Sequence, residues 1–270
     1  MLAAVVAPDM ELGLDGDTVV VTASSAGLGR ASAAALADEG ANVVVCGRDP
    51  ERLAATESEL GDLDGDVLGV ETDITNKGDV EALVEAAVEE FGGVDHVVTS
   101  AGGVPPGGFA DLTEQEWYGA FDMLVMSAVW TVRAARPHLE ASDAGTITCI
   151  TSTSVKEVID DLILSNAVRR GVIGLVKSLS RELAPGVRVN AVLPGAHETS
   201  RIEELVEAAV ERGDHDTYEE GLDSWSDGIP LGRVGDPREL GDVVAFLASD
   251  RASFVTGACV PVDGGRLRSA

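Results

Sequence analysis

The stretch Thr22-Ala-Ser-Ser-Ala-Gly-Leu-Gly-Arg30 restricts the fold more than any other part of the chain. It follows Thr18-Val-Val-Val-Thr22, a β-branched run that reads as a buried parallel strand. It leads into Arg30-Ala-Ser-Ala-Ala-Ala-Leu-Ala-Asp-Glu39, an alanine-rich helix ended by Gly40. A second apolar run, Ala41-Asn-Val-Val-Val-Cys46, follows at once. Strand, glycine-bearing turn, helix and strand make the first βαβ unit of a dinucleotide-binding fold. The physical reason lies at the helix N-terminus, where free N–H groups and the positive dipole end attract a pyrophosphate. Gly27 and Gly29 let phosphates approach the backbone, and Ala23 holds the first turn position. An ordinary βα turn with nothing bound is the competing reading.

The alternation continues. Gly47-Arg48-Asp49-Pro50 lies where this fold reads the adenosine ribose. The acid that would accept from the 2′-hydroxyl of NAD is absent, Gly47 leaves room, and Arg48 offers a bidentate fork to a 2′-phosphate. NADP is therefore favoured over NAD. Against this, Arg48 also suits a pairing with the next helix, and Ala26 adds no second basic residue. Asp49 and Pro50 open a helix to Leu60. A third strand, Val67–Glu71, runs to Asp73-Ile74, and Thr75 or Asn76 opens a helix to Phe91. The fourth strand, Val94–Thr99, ends in Ser100-Ala-Gly-Gly103. Thr113 and Glu116 form a capping box for a helix from about Glu114 to Arg136. The fifth strand, Gly145–Thr151, delivers Ser152, and the sixth, Val187–Leu193, ends at Pro194-Gly-Ala-His-Glu-Thr199. No linker, repeat or low-complexity tract interrupts this order, so residues 10–270 read as one domain. Met1–Ala7 is too short and lacks the basic flank of a signal peptide, and residues 1–9 are expected to be a disordered extension.

Thr22-x4-Gly27-x-Gly29 resembles the cofactor turn of the short-chain dehydrogenase/reductase family, usually Thr-Gly-x3-Gly-x-Gly. The resemblance runs over about residues 12–266 and is close again in Pro230–Pro237 and Val255–Gly265. It implies a single-domain Rossmann-type α/β fold, a doubly wound parallel sheet with helices on both faces. It implies cofactor contacts at Thr22, Ser24, Ser25, Gly27, Leu28, Gly29 and Arg48, then at Asp73 and Ile74 beside the adenine. Ser100, Ala101, Gly102 and Arg169 would line the middle of the site, with Pro194, Gly195 and Thr199 against the nicotinamide. For Asp73 a helix-capping role is the alternative. The family resemblance also implies a homo-oligomer, dimer or tetramer, and a substrate lid around residues 196–230. The other reading of that insert is a surface helical hairpin whose Trp225 packs onto the core.

The catalytic positions depart from the family. Ser152 is retained, but Leu124 stands for the helix Asn, Ser165 for the Tyr, Arg169 for the Lys, and Ser100 for the Asn of Asn-Ala-Gly. The usual Tyr gives a proton because a neighbouring Lys lowers its pKa, a task beyond a serine hydroxyl, and Arg169 cannot shuttle a proton. Ser165 and Arg169 still share a helix face, so Arg169 suits a nicotinamide ribose or a substrate anion as a fixed cation. Lys156, after Ser152, and His197, in the loop after the sixth strand, are the candidate acids. A solvated loop lysine and a backbone-bonded histidine are their plainer readings. The reading is a 3-oxoacyl-carrier-protein reductase-like oxidoreductase acting on a small carbonyl or alcohol. A non-catalytic dinucleotide sensor or scaffold, and dehydration or isomerisation without net redox, fit the same residues.

Charge narrows the partners. There are 47 acids against 19 basic residues, so the formal net charge is 19 − 47 = −28. The acids are spread over helix faces rather than gathered in a tail, as in a well-hydrated surface adapted to a salt-rich cytoplasm. Nucleic acid and anionic membrane are poor partners for it. Cys46, Cys149 and Cys259 sit in apolar runs without metal-ligand spacing and read as buried free thiols. No metal site is expected.

Overall fold

The computed structural model describes residues 11–269, so the expectation for residues 1–9 lies outside the described residues. One seven-stranded sheet runs through the molecule in the order β3-β2-β1-β4-β5-β6-β7. The strands are β1 Thr18–Val21, β2 Asn42–Gly47, β3 Val67–Glu71, β4 His96–Thr99, β5 Thr146–Ile150, β6 Arg188–Pro194 and β7 Cys259–Val262. All pairs are parallel. Buried β-branched residues fill both faces of the inner strands, which parallel sheets require because helices cover both sides. The strand order reverses between β1 and β4. A ligand crevice forms outside the carboxyl ends at such a switch point.

The helices sort into two layers. Helices α1 (Gly27–Asp38), α2 (Pro50–Leu60) and α9 (Pro237–Ala248) contribute Leu36, Leu53, Leu240 and Val244 to one core. Helices α3 (Lys77–Phe91), α4 (Glu114–Phe121), α5 (Ser127–Leu139) and α6 (Ile163–Glu182) contribute Leu83, Ala120, Val132 and Val172 to the other. Helices α7 (Ser200–Arg212) and α8 (Tyr218–Ser226) form the insert between β6 and α9.

Three expectations need correction. Helix α1 opens at Gly27, not at Arg30, because the extended backbone of Ala26 already turns the chain into it. The single helix expected over Glu114 to Arg136 is divided by a π-helical turn, Asp122–Met126, and runs on to Leu139. The Ser127 hydroxyl donates to the Met123 carbonyl at 2.5 Å, a local bond that competes with the regular ladder. In the insert, Trp225 is 37% exposed, against the reading that packs it onto the core.

Candidate active site

The cleft at the switch point encloses about 330 Å³. Its first wall is the start of α1 with Ala23, Ala26, Gly27, Leu28 and Gly29; its floor is Ser100–Gly103 with Ile150 and Thr151; Arg169, Thr199 and Ser200 close it. Ser152, Lys156 and Ser165 are not among its lining residues, whereas Ala26, Gly103, Ile150, Thr151 and Ser200 line it without having been singled out as contact residues. The only signal for those five was adjacency to the contact residues expected from the sequence.

Backbone shapes the start of this cleft. Side chains cap the N-termini of α2, α3, α4, α8 and α9. By contrast, neither Ala26 before α1 nor Thr199 before α7 makes a side-chain cap, and both helices open on the cleft. Their first N–H groups are therefore available to an anion. Gly27 has φ +56°, and a Cβ there would project toward Thr199, 3.8 Å from its Cγ2. A Cβ at Gly29 would lie 2.5 Å from the Ala23 carbonyl oxygen. These constraints fit a pyrophosphate drawn close to the backbone. Ala23, where the family has Gly, adopts φ +47°, a left-handed conformation that L-residues rarely take.

Several expected contact residues hold the cradle from behind. The Thr22 hydroxyl donates to the Ser100 carbonyl at 2.7 Å and accepts from the Ser100 N–H at 2.8 Å. It thereby ties β1 to the end of β4 through backbone, in place of an Asn side chain. Ser24 is fully buried: its hydroxyl donates to Val21 O and accepts from Cys46 N–H. It supports the turn and does not face the cleft. The room expected at Gly47 is taken by Ser25, whose Oγ lies 2.3 Å from where a Gly47 Cβ would stand.

At the adenosine end, Arg48 is exposed. Asn76 caps α3, while Asp73 accepts from the Thr75 N–H and hydroxyl. Partial burial pushes the Asp73 carboxyl up, but the two Thr75 donors and the Arg48 charge outweigh it and hold the group below its ordinary value. Ile74 is buried beside it. Pro194 ends β6, and the Gly195 N–H donates to Val262 O.

The catalytic face is built from different materials. Ser152 caps a short 3-10 turn, Thr153–Val155, and its hydroxyl accepts from the Ser154 N–H at 3.1 Å. Ser165 is buried, with its hydroxyl 3.1 Å from that of Ser154. Leu124 is buried in the core within the π-helical turn. Arg169 spans the ends of two strands, donating from Nη1 to Thr151 O and from Nη2 to Gly102 O, each at 3.3 Å. Its Nε is buried without a hydrogen-bond partner, and burial pushes the guanidinium down to about 10, which leaves it charged at neutral pH. Lys156 is half-buried at the end of the turn that Ser152 opens.

His197 is not brought to the cleft. It lines a separate cavity of about 240 Å³ with Arg233, Glu239 and Asp263. Its ring packs where a Gly235 Cβ would be, 2.8 Å from Cδ2, and Nδ1 lies 3.3 Å from Gly195 O. Burial lowers its pKa, so it is neutral near pH 7. No tyrosine replaces the missing phenol: Tyr118 is exposed, and the Tyr218 hydroxyl donates to Glu198. Burial, that hydrogen bond and the surrounding carboxylates push Tyr218 up to about 12. Burial likewise pushes the thiols of Cys46 and Cys149 up to about 11. Among the described residues, no His/Cys/Asp/Glu group could hold a metal ion, and no helix is long and apolar enough to cross a membrane.

Comparison with known proteins covers nearly the whole chain. The profile of the family described as enoyl-(acyl carrier protein) reductase matches residues 22–266. The 3-oxoacyl-[acyl-carrier-protein] reductase FabG of Thermotoga maritima is 31% identical over 255 residues, 93% of this chain and 98% of that protein. The crystal structure of L-sorbose reductase from Gluconobacter frateurii, complexed with NADPH and L-sorbose, superposes with a TM-score of 0.92. It is 29% identical and covers 97% of this chain and 100% of its own. An NADPH-bound short chain oxidoreductase from Pseudomonas aeruginosa, described as containing an atypical catalytic center, has a TM-score of 0.85. It is 33% identical and covers 94% of this chain and 98% of its own.

Proposed function

Because the chain belongs to the short-chain dehydrogenase/reductase family of NAD(P)-dependent oxidoreductases that interconvert a carbonyl and an alcohol, we propose that it does so through an atypical active site. The observation that carries this reading is the uncapped N-terminus of α1, opening on a cleft that ends at Thr151 and Arg169. Gly27, Leu28 and Gly29 hold the pyrophosphate through backbone N–H groups. Arg48 takes the 2′-phosphate, so NADP is preferred. The NADPH bound to the Gluconobacter and Pseudomonas proteins supports that preference. When bound, the nicotinamide supplies or takes up the hydride.

The rest is the work of the chain. Ser152 accepts from the Ser154 N–H, which leaves its own hydrogen for the substrate carbonyl oxygen. Arg169 is a fixed cation at the end of the cleft, suited to a substrate anion. Ser165 is too weakly acidic to give the proton. Lys156, on the turn that Ser152 opens, is the proton donor in this reading. The insert of residues 196–230 is the lid: Thr199 and Ser200 already line the cleft, and closure excludes water. We place the protein in a salt-rich cytoplasm as a homo-oligomer, dimer or tetramer. The charge of −28 supports the first part.

The test is NADPH oxidation in high-salt buffer over a panel of ketones, aldehydes, oxo acids and oxoacyl thioesters. At least one class is reduced, and Lys156→Met lowers the turnover of that class while NADPH still binds. Cofactor binding with no turnover across the panel would contradict the reading.

A further inference from the structure

We propose that the carbonyl substrate of this site carries a carboxylate, as a 2-oxo or 3-oxo acid does, and that Arg169 binds it. The inference rests on the oxidoreductase reading above and names its substrate class.

Arg169 is a cation without a counter-ion. Every ion pair among the described residues lies elsewhere. Its two hydrogen bonds go to uncharged carbonyls, Thr151 O and Gly102 O, and its buried Nε has no partner. A guanidinium has five N–H donors, so most of its capacity is unspent. Desolvation without a compensating charge is costly, and an arriving anion relieves it. In a chain with 47 acids, the absence of one here is a feature of the site.

The dinucleotide leaves this charge unmatched. Its pyrophosphate is the anion that the α1 N-terminus is built for, and the riboside of nicotinamide carries no anion. Leu124 and Arg169 line one small void, and the Ser165 hydroxyl is turned to Ser154. The planar fork of arginine matches a carboxylate where a lysine would offer a point charge. Its anchorage across the ends of β4 and β5 limits the entropy lost on binding. Thr151, whose carbonyl Arg169 holds, directly precedes Ser152. Arg169 is thus held against the strand end that leads into Ser152.

The probes are oxamate, an unreactive carboxylate analogue of a 2-oxo acid, and oxamide, its neutral amide. Each is titrated calorimetrically into the enzyme–NADPH complex in high-salt buffer. Oxamate is expected to bind at least tenfold tighter than oxamide. Arg169→Met removes the difference. Arg169→Lys keeps a reduced preference, with folding of both variants checked by circular dichroism. Equal binding of the two probes to the unmodified protein would overturn the inference, whether or not any variant folds. A preference that survives Arg169→Met would overturn it too, as would loss of NADPH binding in that variant, which would assign Arg169 to the cofactor. Failure of the unmodified protein to bind NADPH would overturn the functional reading and this inference with it.

Discussion

The turn at Thr22–Arg30 and the segment Ser152–Arg169 are built from different materials; Arg169 of the second lines the cleft on which the first opens. The turn does its work with backbone: free N–H groups at the α1 N-terminus and glycines that cannot carry a Cβ. Its one family substitution, Gly to Ala23, leaves the path of the chain intact. In the proposed reading the catalytic face works with side chains, and the sequence puts Leu124, Ser165 and Arg169 at its positions. Binding through backbone tolerates sequence drift as long as steric limits hold. Proton transfer does not, because acidity belongs to the side chain itself. A site can thus keep its cofactor while its acid, and with it the range of substrates, is replaced.

The sharpest way to break the comparison is Gly29→Ala. The new methyl would meet the Ala23 carbonyl oxygen at 2.5 Å, and the turn must open. NADPH affinity is expected to fall by about a thousandfold, or roughly 4 kcal/mol, in a fluorescence titration. An unchanged affinity would mean that the turn is not the cradle. Ser152→Ala tests the other face. Turnover should drop about a hundredfold, in line with losing one hydrogen-bond donor to a developing oxyanion, while NADPH affinity stays within about twofold. Equal losses in both quantities would erase the distinction between the two regions.

Arg48→Ala is expected to weaken NADPH binding about tenfold, or about 1.4 kcal/mol, and to leave NADH unaffected. If both cofactors weaken together, Arg48 serves the fold of the β2 end and not the 2′-phosphate. The smallest effect concerns Ala23→Gly. Relief of left-handed strain, roughly 1–2 kcal/mol, is partly offset by the greater freedom of glycine in the unfolded chain, roughly 0.4–1 kcal/mol. A net gain of about 0.5 kcal/mol should appear in urea unfolding. A loss would show that the turn has adapted to its alanine.

What could be read from the sequence follows the same division. The strands, the capping residues Asp49, Asn76 and Thr113, and the glycine turn were legible because each depends on neighbours a few residues away. The expectation that Ser165 and Arg169 stand where the family has a Tyr and a Lys rests on the helix that follows them. Side-chain destinations set by distant contacts were not. Ser24 was an expected cofactor contact, but a backbone N–H donated by Cys46, 22 residues away, claims its hydroxyl. Gly47 looked like space for a phosphate, and Ser25 fills it. His197 had the chemistry of an acid, and only the glycine at position 235 lets its ring tuck away from the cleft. The π-helical turn was hidden because Asp122–Met126 keeps an ordinary helical composition.

The central claim is that this chain binds a nicotinamide dinucleotide at its backbone cradle in spite of its altered catalytic face. The most direct test titrates NADPH and NADH against intrinsic tryptophan fluorescence at low and high salt. Both cofactors should bind, NADPH about tenfold tighter. Affinity should rise with added salt, since a protein of charge −28 repels an anionic ligand until the repulsion is screened. No binding of either cofactor at any salt concentration would contradict the account.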